Sequence, residues 1–331
     1  MNKDLSCLRD PDTGASLQLL ESGSLIGVNG AQHPIVKGIP RFVSTENYAK
    51  VFGTQWNRFP KTQLDSFTGI DISESRLQRC TRMNLSDLNE KVVLEAGSGA
   101  GRFTEVLLKY GAIVHAFDYS SAVDANAINN GFSDHLTLVQ ADLRRIPFLK
   151  GNYDFVVCLG VLQHTPNPEE SISCLWEMLK PGGRLVIDHY RWNWGLVVPP
   201  PLGGAESLYR WLILKLPLEY RFRAVKAITD FWFPVHWFFR EYPIVQRVLV
   251  RLSPVRFYYS NYKLRNRQMY YDWSLLDTHD GTTDIHKHYR TVKQIVGYLE
   301  TIGAEGIEAH IGGNGVEASC RKPITGTIAT I

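Results

Sequence analysis

Paired cysteines are missing from this chain. Its 331 residues include five, Cys7, Cys80, Cys158, Cys174 and Cys320, scattered with no C-x-x-C spacing, which argues against a disulfide framework and against a sulfur-ligated structural metal. Also missing is any run of about 20 apolar residues, so no segment reads as bilayer-spanning. The N-terminus is charged and polar and carries no apolar signal run. The expected compartment is therefore the reducing cytoplasm. A dominant charge is lacking as well: 36 Lys and Arg face 33 Asp and Glu, a net of +3, which leaves no electrostatic footprint for a nucleic acid. No internal repeat or low-complexity tract is visible.

What the chain does have is a glycine-rich turn. Val92-Val93-Leu94 is an apolar strand, followed by Glu95 and then Gly97, Ser98, Gly99 and Gly101 ahead of a helix. Glycines there let the backbone approach a ligand more closely than a side chain would allow. Dinucleotide-binding folds also place glycines between a first strand and a helix N-terminus, where amides meet a pyrophosphate. Glu95 argues otherwise, because its charge opposes a pyrophosphate and suits a cationic ligand bearing an amino group.

Further landmarks follow in order. The strand Ala112–Phe117 ends at Asp118, about twenty residues past the loop, which fits a carboxylate receiving ribose hydroxyls. Leu136–Ala141 ends at Asp142, and Tyr153–Leu159 runs into Gly160 and the turn Val161-Leu162-Gln163-His164-Thr165-Pro166. Leu179-Lys180-Pro181-Gly182-Gly183 then leads into the strand ending at Asp188. These residues resemble the class I S-adenosylmethionine-dependent methyltransferases. The resemblance implies an α/β, Rossmann-like, doubly wound seven-stranded sheet whose last strand is antiparallel, with S-adenosylmethionine as cofactor. It also implies a cofactor set of Glu95, Gly97, Ser98, Gly99, Gly101, Asp118, Tyr119, Asp142, Leu143 and Gly160, with Arg102 shaping the loop and Asp142 at the adenine amino group.

Six segments are expected. Residues 1–45 read as short strands separated by Asp, Pro and Gly turns, and resemble a zinc-ribbon-derived domain that elsewhere activates RNA methyltransferases. Cys7-Leu8-Arg9-Asp10 stands where the metal-binding relatives carry two cysteines, so no zinc is expected, and the unit should be held by docking to the main domain. Residues 46–88 form a helical lid. The pattern around Phe52-Gly53-Thr54-Gln55-Trp56 and Gln63-Leu64-Asp65-Ser66 is similar to a segment ahead of the glycine loop in bacterial methyltransferases, which adds Gln55, Trp56 and Gln63 to the cofactor set. The plainer role for Trp56 and Phe59 is packing the first helices onto the sheet. Residues 89–190 form the sheet core, with right-handed crossovers.

Residues 191–272 form an insertion, opened by Pro199-Pro200-Pro201 and carrying helices at about 206–216, 219–240 and 242–252 rich in Trp, Tyr, Phe and Arg. Three roles fit it: lining the cavity of a small-molecule, glycan or lipid acceptor, forming a homodimer face, or making peripheral membrane contact through 205–250. Residues 273–323 complete the core with a polar loop, a helix near Thr291–Ile302 and a closing hairpin around Gly312–Gly315; 324–331 is a tail expected to fray.

Methyl transfer to a hydroxyl asks the protein for alignment and for removal of one proton. Histidine suits that task near neutral pH. The candidates are His164 and His189 after the fourth and fifth strands, and His279, Asp280 and His286 in the loop Asp277–Tyr289. The acids and histidines of that loop are also of metal-binding type, although capping the next helix and closing over the site accounts for them without a metal. The most specific activity implied is O-methylation of a sugar, a glycolipid precursor or a secondary metabolite. Methylation of a lipophilic ring or carbon centre, and S-adenosylmethionine binding without turnover, are the alternatives.

Overall fold

The structure, a computed structural model, describes residues 5–44, 47, 49–194 and 204–324. Pro199–Pro201 and nearly all of the expected tail lie outside the described residues.

The N-terminal segment is a four-stranded antiparallel sheet of β1 (Gln18–Leu19), β2 (Ser24–Ile26), β3 (Gln32–Val36) and β4 (Ile39–Pro40). Asp10 organises its first turn by accepting from the Asp12 and Thr13 amides and the Thr13 hydroxyl. Three helices follow: α1 (Lys50–Arg58), α2 (Asp65–Thr68) and α3 (Ile72–Thr81).

Strands and helices then alternate as β5 (Val92–Ala96), α4 (Arg102–Lys109), β6 (Ile113–Asp118), α5 (Val123–Asn130), β7 (Leu136–Gln140), β8 (Tyr153–Cys158), α6 (Pro168–Met178) and β9 (Leu179–His189). Near-continuous apolar runs make these strands suited to burial on both faces. All five residues of β7 are buried. After the insertion come α11 (Val292–Thr301), with a Thr291–Gln294 capping box, and the hairpin β10 (Glu305–Gly312) and β11 (Gly315–Arg321). The sheet order is β10-β11-β9-β8-β5-β6-β7, with β5 to β9 parallel and β11 antiparallel to both neighbours. That is the doubly wound, seven-stranded sheet implied by the sequence. Order reverses between β5 and β8, so the ends of β5, β6 and β8 open on the crevice such sheets offer a ligand.

Apolar side chains fill both faces. Leu94, Phe117, Val156, Ile172 and Leu185 belong to one core cluster, and Leu77, Val93, Val106, Val114 and Val186 to the other. The small sheet docks on this body through backbone. Phe42 donates its amide to Gln140 O at 2.8 Å and Arg9 donates to Pro147 O at 2.9 Å, while the buried Arg41 reaches Gln140 Oε1 and Asp124.

The insertion contains α7 (Glu206–Leu214), α8 (Leu218–Phe238), α9 (Pro243–Leu252) and α10 (Arg267–Thr283). Here the structure corrects the sequence reading: Asp277–Thr283 is the last part of a 17-residue helix, not a loop. Asn266 caps its start by accepting from the Met269 amide. The chain divides into two compact units, one of residues 1–57, 73–191 and 286–331, the other of 58–72 and 192–285. The expected lid is therefore split, nearly all of α1 and of α3 going with the sheet and α2 with the inserted helices.

Inside the second unit Asp277 gathers three donors: Gln63 Nε2 at 3.0 Å, the Tyr258 hydroxyl at 2.5 Å and Trp273 Nε1 at 3.1 Å. Arg210 binds the buried Asp284, and Arg256 binds Glu206 with both forks. Phe233, Tyr270 and Trp273 form its main aromatic core.

Candidate ligand cradle and histidine edge

Glu95 lies in β5 and is 2 % exposed. Thr104 Oγ1 donates to its Oε2 at 2.5 Å, whereas Oε1 is buried with no hydrogen-bond partner among the described residues. Burial pushes this carboxyl up to about 8, against the lowering effect of the Thr104 bond. The charge inferred from sequence is thus withheld until a cation arrives, since an opposite charge restores the ionised form. Ser98 Oγ, also buried, has no hydrogen-bond partner among the described residues either. These two orphaned atoms are what a ligand carrying an amino group would satisfy.

The glycine turn is shaped by close approach. Gly97 has φ +74°, and a Cβ there would stand 2.2 Å from Val161 Cγ2, so the turn after β8 rests directly on the cradle. Gly101 has φ +90°, and a Cβ there would meet the Asn126 and Asn130 side chains at 2.4 and 2.2 Å. At Gly99 the equivalent Cβ would lie 3.5 Å from the Trp56 ring. α1 is held there by Asn57, whose amide donates to Ser121 O at 2.9 Å. The structure therefore brings Trp56 to the glycine loop, and Gln55, 1 % exposed, is on the same helix. Gln63 belongs to the other unit.

Asp118 ends β6. Its Oδ2 accepts from the Gly99 amide at 2.9 Å, and Oδ1 from the Ser120 amide and hydroxyl at 2.8 and 2.7 Å. Burial raises its pKa despite these bonds. Three of roughly four acceptor sites on the carboxylate are used, leaving capacity for a ligand hydroxyl. Asp142, 9 % exposed, is held by the Arg144 amide and by Nε and Nη2 of the same guanidinium at 3.1 and 2.7 Å. Leu143 beside it is buried, and Tyr119 carries a phenol whose pKa burial raises.

On the β8–β9 side, Gly160 donates its amide to Asp188 Oδ1 at 2.6 Å, and Asp188 forms an ion pair with Arg76 from α3. Sequence reasoning missed this pair, because no local pattern links residues 76 and 188. His164 closes a single 3-10 turn, Leu162–His164, and its ring meets Phe52 at 5.4 Å and Tyr190 at 5.3 Å. The stretch 286–290 is stitched to this edge: the His288 amide donates to Gln163 O, the Arg290 amide to Tyr190 O, and the Arg290 guanidinium binds Glu169 with both forks.

Buried acceptors are found here, on His189 and Gln163. His189 Nδ1 lies 3.1 Å from Tyr190 O, which only accepts, so Nδ1 carries the proton and Nε2 is left bare. Among the described residues neither Nε2 nor Gln163 Oε1 has a hydrogen-bond partner. Burial lowers the His189 pKa to about 4. His286 stacks near His288 at 6.4 Å in this unit. His279 and Asp280 lie on α10 of the other unit; burial lowers His279 to about 4, and its ring packs on Phe222 at 5.5 Å. Among the described residues no group of three or more His, Cys, Asp or Glu is arranged to hold a metal ion.

Residues 94–187 match the family model described as a methyltransferase domain. Ubiquinone biosynthesis O-methyltransferase from Coxiella burnetii is 32 % identical over 127 residues, covering 38 % of this chain and 54 % of that protein. The protein of the same name from a Shewanella strain is 33 % identical over 126 residues, covering 37 % and 52 %. This chain thus spans about half the length of those curated relatives. A crystal structure described as a putative S-adenosylmethionine-dependent methyltransferase from Methanococcus maripaludis superposes with a TM-score of 0.46 at 16 % identity, over 86 % of this chain and 99 % of that one.

Proposed function

We propose that this chain, whose residues 94–187 match a methyltransferase domain, uses S-adenosylmethionine to methylate a hydroxyl oxygen of a hydroxylated small molecule, of the sugar, glycolipid-precursor or secondary-metabolite kind. The observation that carries this reading is the pair of buried acceptors Gln163 Oε1 and His189 Nε2 at the β8–β9 edge. Neither can donate in the form described, so both call for a partner that brings hydrogens, as hydroxyl groups do.

Bound S-adenosylmethionine supplies a methyl group on a good leaving group. Glu95 and Ser98 hold its amino-acid end, Asp118 the ribose, and Asp142 with Leu143 and Tyr119 the adenine. Trp56 covers the glycine turn and keeps water from it. His164 is the general base: it closes the turn after β8, between Phe52 and Tyr190, and takes the proton released as the hydroxyl oxygen gains its methyl group. Histidines held near a pKa of 4, as His189 and His279 are, bind a proton too weakly to serve at neutral pH.

Oxygen as the target atom also agrees with the names of the two bacterial relatives. Those names refer to ubiquinone, which favours a lipophilic ring as the second reading of the acceptor.

The test is transfer of labelled methyl groups from S-adenosylmethionine into a cell extract separated into lipid, small-molecule, RNA and protein pools. We expect label in the small-molecule or lipid pool, released by reagents that cleave methyl ethers. The His164→Gln variant should lower transfer at least about a hundredfold while keeping its calorimetric affinity for S-adenosylmethionine. Absence of cofactor binding by the unaltered chain would sink the proposal, and unchanged transfer by His164→Gln would remove His164 as the base.

A further inference from the structure

We propose that the inserted helices dock this protein on an anionic lipid surface, lying on the membrane without crossing it. Two helices carry the observation. On α9 the residues Ile244, Val248 and Leu252 recur every four positions and form one stripe. All three are exposed, Ile244 at 77 %. Arg247 and Arg251 form the adjacent stripe, also exposed, and neither makes an ion pair or hydrogen bond among the described residues. The helix is held from its other side, where Leu249 is buried and the Gln246 amide bonds His236 Nδ1 and the His236 carbonyl, each at 2.8 Å. The apolar stripe is therefore turned outward on an anchored helix, not left exposed by fraying.

α7 repeats the arrangement. Leu208, Trp211 and Leu212 lie at i, i+3 and i+4, all exposed, with Trp211 at 56 %. Lys215, one turn on, places its ammonium 3.5 Å from the centre of the Trp211 ring. An aromatic ring at the level of the headgroups with a cation beside it is the composition of an interfacial helix.

Charge selects the occupant. Residues 205–252 hold eight Lys or Arg against four Asp or Glu, an excess of four, more than the +3 of the whole chain. Anionic headgroups complement such a surface, each nearby cation adding attraction that salt weakens. A second copy of the chain does not: a two-fold interface sets a patch against itself and would bring Arg247 and Arg251 towards their own counterparts. No helix among the described residues is long and apolar enough to cross a membrane, so the contact is peripheral.

Vesicle flotation of the full chain tests this without any turnover, so failure would leave the methyl-transfer reading untouched. We expect the protein to float with phosphatidylcholine vesicles containing one quarter phosphatidylglycerol, and to remain at the bottom with phosphatidylcholine alone or at high salt. Arg247→Gln with Arg251→Gln should weaken partition roughly thirtyfold. Trp211→Ser with Ile244→Ser should abolish flotation while the unfolding temperature holds. Equal flotation with neutral vesicles, none with anionic ones, or retention by the serine variant would each overturn the proposal. So would a dimer in sedimentation that the serine variant converts to monomer while the parent chain fails to float.

Discussion

At the scale of single residues, Glu95 governs how the cradle responds to its ligand. Its folded pKa of about 8 lies above the ordinary carboxylate value, so in the ligand-free protein it stays largely protonated at neutral pH. That raised pKa opposes folding as pH climbs from about 4.5 to 8, because the unfolded chain gives up the proton first. A bound ammonium reverses the preference. We expect S-adenosylmethionine binding at pH 7 to release close to one proton, read from calorimetry in buffers of different ionisation heat. The Glu95→Gln variant should release none and bind at least about tenfold more weakly, through loss of a charged hydrogen bond. Equal proton release by parent and variant would contradict this account. The acid at position 95 was legible in the sequence, but its protonation state was not, because burial among Leu94, Ala96 and Thr104 is a property of the assembled sheet.

At the scale of elements, α10 shows where periodicity misleads. Asp277-Thr278-His279-Asp280-Gly281-Thr282-Thr283 has the composition of a polar loop, yet it is helical and most of it is buried. The reason lies in its partners. Asp277 receives Gln63, Tyr258 and Trp273, while Thr282 and Thr283 return their hydroxyls to the carbonyls of Thr278 and His279 at 2.6 and 2.8 Å. Polar residues whose bonds are met inside a unit need not face water. Replacing Asp277 with Ala would remove the shared acceptor of three donors, and we expect a loss of about 3 kcal/mol, measured by urea unfolding. The strands β5 to β8 of the sheet core were read nearly to their ends, because uninterrupted apolar runs and glycine turns act locally.

For the whole molecule, acid stability follows from buried imidazoles. His189 and His279 have folded pKa values near 4 against 6.5 unfolded. Between those values the unfolded chain binds protons that the folded chain refuses, so stability falls as pH drops from about 6.5 to 4, by up to about 3 kcal/mol for each histidine. Glu95 opposes this with a single proton over part of the range. The slope of unfolding free energy against pH should therefore become shallower by about one proton in His279→Gln, seen in urea titrations at pH 7, 5.5 and 4.5. An unchanged slope would place the acid sensitivity elsewhere. The sequence by itself determined the sheet, its order of strand and helix, and the acids at the ends of β5, β6 and β7, since apolar runs and glycine turns set local geometry and parallel crossovers fix which strand ends share an edge. Only the tertiary structure decided that residues 58–72 join the inserted helices, that Arg76 pairs with Asp188, and that Gln163 and His189 keep bare acceptors at the sheet edge. Each of those depends on burial and on contacts between residues far apart in the chain, which no local pattern encodes.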